Sequence, residues 1–261
     1  MENKILIAML TYNRLEMTKK SLNSLYENTD VNDFDLIIWD NNSTDGTKEY
    51  LHEFAKDKTM TIIESPENVG VGKAINEILK YRKSEQHFMK LDNDIIFKEN
   101  TNKNWLKIIN KIFELKLIIS TNEDDKKIGS ICLKPFSLNE EKEVSLLPEY
   151  QKIEFPNLKF EFNPEGTNGC STIFRNEVLN ELKEFNHYGK YGYEDCMFSA
   201  RMQLIGYLAL FNSDIARVYH IDPGGDTDYL KWKHKQANEY FKKYEEDFNN
   251  YAEGRKEATK L

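Results

Sequence analysis

A chain of 261 residues, 31% charged and 39% hydrophobic, is long enough to enclose a core without disulfide or metal staples. Its formal net charge of −8 argues against nucleic acid or anionic lipid as a default partner, and three unpatterned cysteines, Cys132, Cys170 and Cys196, argue against a disulfide framework or a zinc site. No apolar run approaches the ~20 residues of a membrane span, and the run Ile5 to Leu10 is too short for a secretory leader, so a cytoplasmic protein is expected.

The chain opens on an alternation of strands and helices. Lys4–Leu10 reads as a buried strand, Leu15–Tyr26 as a helix with apolar Leu15, Leu22 and Leu25, and Asp35–Trp39 as a second buried strand. A helix over Thr47–Phe54, a strand at Thr61–Ile63, a helix over Gly70–Leu79 and a strand at His87–Leu91 continue the series. Such alternation with short connections implies right-handed crossovers, a mostly parallel sheet and helices on both faces. Beyond a helix at Asn104–Leu117 the pattern is mixed. Ile128–Leu133 reads as a strand, and residues 134–163, with Pro135, Pro148 and Pro156, as an excursion loop plus a β-hairpin. A strand at Ser171–Phe174, helices at Glu177–Phe185 and Asp195–Ile205, extended segments at Leu208–Phe211 and Ala216–Tyr219, and a long helix over 229–251 complete the chain.

In open α/β sheets ligands bind beyond the carboxyl ends of the strands, which singles out four loops: Thr11–Arg14, Asp40–Ser43, Glu67–Gly70 and Asp92–Asp94. Most Asp-x-Asp triplets are solvated turns, but Asp92 and Asp94 leave a buried strand together. Hard oxygen ligands so placed suit Mg²⁺ or Mn²⁺, which keep positions for substrate phosphates. His220, at the end of a late extended segment, offers an imidazole that favours Mn²⁺; its ordinary role is to hydrogen-bond at a core edge. Glu194 and Asp195 open an amphipathic helix, where acids commonly cap, yet one of them can also take a proton from a hydroxyl. Asp40 can accept hydrogen bonds from a base or ribose, while Thr44 or Asp45 caps the next helix. The Asn68–Lys73 stretch lacks P-loop spacing, but its backbone sits where a helix N-terminus meets a ligand.

These pieces, in this order, resemble the GT-A (nucleotide-diphospho-sugar transferase) fold and glycosyltransferase family 2 in particular. The resemblance runs from about Ile5 to Pro223 and rests on the following segments: Thr11–Arg14, Asp40–Thr47, Asn68–Gly70, Asp92–Asp94, Gly169–Phe174, Glu194-Asp195 and His220. It implies a catalytic domain over residues 1–223, with a nucleotide-sugar-binding half at 1–98 and an acceptor-binding half at 99–223, followed by a helical tail at 224–261. It further implies that Asp40 reads the nucleobase and that Thr11, Tyr12, Arg14, Asn68, Gly70, Lys73 and Asn93 lie along the nucleotide sugar. Asp92 would contact ribose or metal, and Asp94 and His220 would hold the metal. Asp195 would be the general base, with Glu194 orienting donor or acceptor; which of the two is the base stays open. The implied reaction is metal-dependent, inverting transfer of one sugar from a nucleotide-diphospho-sugar, a UDP-sugar before others, to an acceptor hydroxyl. Ser199–Met202 stands where processive synthases carry a basic-aromatic signature, so single addition is expected.

Two rivals are weighed. A nucleotidylyltransferase wants a glycine-rich loop after its first strand, and Thr11–Arg14 has no glycine. A non-catalytic nucleotide- or carbohydrate-binding module on the same fold would have lost part of the acid and imidazole set, which is complete here. The acceptor stays open among a glycan, a lipid-linked glycan, a protein, a small molecule and a modified nucleobase. In the tail, Trp232, Tyr240, Phe241, Tyr244, Phe248 and Tyr251 recur along one helical face. That stripe is expected to pack onto the catalytic domain or, as a homo-oligomer contact, onto a second copy, with membrane-surface or acceptor contact as the alternative.

Overall fold

A computed structural model of the chain describes residues 4–115, 118–120, 125–137, 151–155, 158–162, 169–222 and 228–258. The first strand, β1 (Ile5–Thr11), has an unbroken apolar core, so it is buried on both faces. Its alternation divides the protein into two layers. Ile5, Ile7 and Met9 meet Leu22 and Leu25 of α1 (Leu15–Asn28), Leu51 of α2 (Thr47–Phe54) and Trp105 and Ile109 of α4 (Trp105–Glu114). Leu6 and Ala8 meet Ile75 and Ile78 of α3 (Val71–Leu79), Val178 of α5 (Asn176–Leu182) and Phe198 of α6 (Glu194–Leu204). Helices therefore cover both faces, as the alternation predicts.

The parallel part of the sheet comprises β1, β2 (Phe34–Asp40), β3 (Thr61–Glu64) and β4 (Phe88–Asp92), in the order β3-β2-β1-β4. Thr11 pairs with Asp40, Asp40 with Glu64 and Leu10 with Asp92, so these carboxyl ends finish level and their loops open on one edge. Beyond β4 the sheet becomes mixed. β11 (Ser171–Phe174) inserts antiparallel between β4 and β7 (Asp125–Leu133), and β12 (Tyr207–Asn212) runs parallel to β7. The hairpin expected within 134–163 is formed by β9 (Gln151–Phe155) and β10 (Leu158–Phe162). The excursion loop with Pro148, and Pro156, lie outside the described residues. β6 (Ile118–Ser120), which pairs with β7, begins just after the segment read as helix Asn104–Leu117; the helix itself ends at Glu114.

A second sheet was not legible from periodicity. It joins β5 (Ile95–Phe97), β13 (Val218–His220) and β8 (Pro135–Ser137), each of three residues, in the order β5-β13-β8. The tail forms α7 (Asp228–Ala258), which packs on α6 and on the loop before it. Tyr244 stacks on Tyr193 at 4.3 Å, Phe241 lies 6.0 Å from the same ring, and the Tyr188 hydroxyl donates to Asp247 Oδ2 at 2.9 Å. The aromatic stripe thus meets its own chain, the first of those expectations. Among the described residues no helix is long and apolar enough to cross a membrane.

Candidate active site

The level strand ends frame a cavity of about 380 Å³. Its floor is the β4–β5 turn, Asp92-Asn93-Asp94. Two short strands meet here: β13 pairs antiparallel to β5, with His220 opposite Ile95, and Ile221 N–H donates to the Asp94 carbonyl at 2.9 Å. That pairing carries His220 across 126 residues of sequence and sets Nε2 3.5 Å from Asp94 Oδ2. The same carboxylate oxygen accepts from Arg14 Nη1 at 2.8 Å, and Arg14 Nη2 lies 3.1 Å from Asp222 Oδ2. Arg14 and Asn13 both adopt left-handed backbone, φ 65° and 57°, a conformation that costs a non-glycine residue free energy. The Asn13 side of this turn is pinned by Ser43 Oγ, which accepts from its N–H at 2.8 Å, and by Thr44 N–H, which donates to its Oδ1 at 2.8 Å. The outcome of that strain is a guanidinium aimed into the cavity.

The opposite wall is the start of α6. Gly192 (φ 111°) and Tyr193 (φ 69°) turn the chain sharply into the helix, and Glu194 Oε2 accepts from Gly192 N–H at 3.1 Å. Asp195 follows, with Oδ2 3.2 Å from Lys90 Nζ; the same ammonium lies 3.3 Å from Asp92 Oδ1 and is only 5% exposed. A buried lysine between two carboxylates forms the electrostatic centre of the site. Desolvation would lower its pKa, but the Asp195 and Asp92 charges hold it well above the usual ammonium range. Burial pushes Glu194 up to about 7, and the neighbouring Asp195 charge adds to the rise. Burial likewise raises Asp195, against the pull of Lys90. Gly169 abuts this carboxylate so closely that a Cβ there would overlap it.

Of the residues expected from sequence, Thr11, Tyr12, Arg14, Asn68, Asp92, Asn93, Asp94, Glu194, Asp195 and His220 line the cavity together. Asp40, Gly70 and Lys73 are not in its described lining. Asp40 is fully buried and accepts from Ser43 N–H at 2.9 Å, holding the turn, while its neighbour Asn41 reaches the cavity. Gly70 is required by close approach: a Cβ would run into the Lys190 backbone. Lys73 is exposed on α3. Asp45, rather than Thr44, makes the cap, its Oδ1 accepting from Thr47 N–H at 3.2 Å.

The expected metal set needs the same inspection. Among the described residues no group of three His, Cys, Asp or Glu side chains converges on one point, because Asp92 turns its carboxylate to Lys90. Asp94 and His220 remain as a pair. Asp94 Oδ1 is buried with no hydrogen-bond partner. A carboxylate with one unused buried oxygen beside an imidazole nitrogen fits a divalent cation that takes its other ligands from phosphate and water.

Residues 6–117 match the family model described as glycosyl transferase family 2. Several solved structures are similar over most of this chain. The mannosyltransferase PcManGT from Pyrobaculum calidifontis, in complex with GDP-Man and Mn²⁺, superposes with a TM-score of 0.62 at 16% identity, over 89% of this chain and 60% of its own. S. aureus TarS 1-349 with UDP-GlcNAc gives 0.61 at 20% identity, over 85% and 60%. GalNAc-T7 with UDP, GalNAc and Mn²⁺ gives 0.63 at 15% identity, over 93% and 49%. The chain has the GT-A fold, and its first part is similar to glycosyltransferase family 2. It spans only about half to three fifths of those relatives' lengths, and no curated protein matches it.

On this GT-A frame, sequence reasoning gave no role in the site to three contributors, Lys90, Gly169 and Lys233. Lys90 lies within the strand His87–Leu91; strand alternation puts it on the same face of β4 as Asp92, which is the signal that finds it. Gly169 carries no chemistry of its own and shows its purpose only in space. Trp232 and Lys233 reach the cavity from α7, well past the matched region.

Proposed function

We propose that this chain is a glycosyltransferase that moves one sugar from a nucleotide-diphospho-sugar to an acceptor hydroxyl, with a divalent cation and with inversion. The observation that carries the reading is the pairing, across one cavity, of the Asp94–His220 corner with the buried Lys90–Asp195–Glu194 cluster. The GDP-Man, UDP-GlcNAc, UDP and Mn²⁺ held by those similar structures support it.

Asp94 and His220 would hold Mn²⁺ or Mg²⁺, which when bound offsets the charge gathering on the departing diphosphate. Arg14, on the same carboxylate, adds a fixed positive charge on that side of the cavity. At the other wall Asp195 accepts the proton of the acceptor hydroxyl while its oxygen bonds to the anomeric carbon. The bond from that carbon to the diphosphate oxygen breaks, and its electron pair leaves with the diphosphate. With Asp195 acting on the acceptor hydroxyl and the Asp94–His220 corner on the diphosphate, attack from the side opposite the leaving group would invert the centre. Lys90 orients Asp195 and favours its ionised form, and Glu194 braces the Gly192–Tyr193 turn through its hydrogen bond. Most of the rate then comes from holding donor and acceptor in line.

The test is nucleoside diphosphate release from GDP-mannose, UDP-GlcNAc and UDP-GalNAc with Mn²⁺, with and without acceptors, in wild type and Asp195→Asn. Turnover should fall by about 10²-fold or more in the variant while Mn²⁺-dependent donor binding stays near normal. Unchanged turnover in Asp195→Asn, or no Mn²⁺-dependent stabilisation by any nucleoside diphosphate, sinks the reading.

A further inference from the structure

The tail helix helps to build the cavity. Trp232 and Lys233, in the first turns of α7, share its lining with Asp195 and Asp94. The Trp232 ring stands 6.5 Å from that of Tyr12 at an angle of 40°, and 6.4 Å from that of Tyr191 at 50°. Lys233 Nζ lies 4.9 Å from the centre of the Tyr191 ring. Rings so separated and oblique do not stack on one another. They form a cup, with Tyr12 still 38% exposed, and an ammonium and the Asp195 carboxylate belong to the same cavity.

Resting on the transferase reading above, we propose that Trp232 and Tyr191 form the acceptor subsite, bordering the nucleotide side at Tyr12, and that the acceptor is a carbohydrate. A sugar ring has an apolar C–H face and a rim of hydroxyls, so it is recognised by an aromatic wall edged with charged and hydrogen-bonding groups. An acyl chain needs a continuous aliphatic groove, whereas the aliphatic residues among the described lining are Leu10, Val71 and Pro135. Trp232 supplies the wall, and a hydroxyl of the stacked ring is presented to Asp195. A nucleobase also stacks on indole, and the experiment separates the two.

The chain has three tryptophans, and Trp39 and Trp105 are buried in the core at 8% and 0% exposure. Ligand-sensitive emission therefore reports Trp232. The full-length protein is titrated with methyl glycosides of glucose, galactose, mannose and N-acetylglucosamine, with and without saturating UDP or GDP plus Mn²⁺. At least one glycoside should change the emission saturably and serve as an acceptor. Trp232→Ala should lose the signal and bind that glycoside roughly tenfold more weakly, Trp232→Phe should recover most of the binding, and calorimetric affinity for UDP or GDP should stay within about twofold. The proposal is overturned if no glycoside perturbs wild-type emission, or if Trp232→Ala weakens nucleoside diphosphate and spares glycoside. Should Trp232→Ala fail to fold, the wild-type titration and Trp232→Phe decide. Glycoside binding at Trp232 without turnover of any nucleotide sugar would support the sugar subsite and remove the transferase reading.

Discussion

The single methyl group of Gly169→Ala tests the site at its most crowded point. Gly169 has no left-handed φ, so alanine is conformationally acceptable there, and by restricting the unfolded chain it would by itself stabilise by about 0.4–1 kcal/mol. What opposes it is Asp195: the new Cβ would fall among Cγ, Oδ1 and Oδ2 of the carboxylate. Restoring a van der Waals separation of ~3.5 Å requires the carboxylate to retreat by roughly 2 Å. It cannot do so and keep Lys90 at 3.2 Å. A displaced base costs about 10²-fold in turnover, or about 2.7 kcal/mol in the barrier. Single-turnover release of nucleoside diphosphate measures the loss; calorimetry with donor and Mn²⁺ should find affinity within about threefold, and the unfolding temperature should hold within a few degrees. Turnover above a third of wild type would refute the placement of Asp195 at the reacting hydroxyl.

Glu194→Gln keeps the acceptor for Gly192 N–H but removes a buried acid whose pKa is raised from 4.5 to about 7. A raised carboxyl pKa gives stability that is present below 4.5 and lost as pH rises through 7, so the variant should gain up to about 3 kcal/mol over wild type at pH 8 and nothing at pH 4 in denaturant titrations. Lys90→Met strips Asp195 of its cation, so the acid limb of the turnover profile should move up by about one pH unit or more, with Lys90→Arg restoring it; an unmoved limb would leave Lys90 a packing residue. Asp94→Ala and His220→Ala should each weaken Mn²⁺-dependent UDP or GDP binding by about tenfold or more, and chelation should reduce wild-type binding likewise. Tyr244→Ala removes the ring stacked on Tyr193 and should cost about 1–3 kcal/mol, with faster amide exchange across α7; exchange unchanged from wild type would mean the helix is held elsewhere.

How far the sequence could be read follows from which contacts are local. The parallel half was legible because each apolar run is followed by a polar loop and a helical spacing, and register then sets the loops on one edge. The acid pairs at Asp92–Asp94 and Glu194–Asp195 were legible for the same reason: each stands at an element boundary. The mixed half was not, because β11 enters between β4 and β7 through pairings that hydrophobic period does not encode. The three-residue strands β5, β8 and β13 are shorter than any periodicity window, yet they join His220 to Asp94.

Asp40 shows that a strand can run past its apolar residues. A carboxylate directly after a buried strand is a reasonable reader of a nucleotide, and DLIIW reads as that strand. The ladder, however, continues through Asp40, which pairs with both Thr11 and Glu64. The Asp40 Oδ2 accepts from the Ser43 turn, and its Oδ1 is buried without a hydrogen-bond partner. Asn41 is the first residue to clear the ladder and to line the cavity, while its Oδ1 accepts from Val69 N–H at 3.1 Å and so joins the second and third loops. The chemistry of a strand end is thus set by where hydrogen-bonded pairing stops, a property of the neighbouring strands as much as of the strand itself. Lys90 illustrates the same point from inside the ladder: its alternation toward α6 has meaning only because Asp195 is there to meet it.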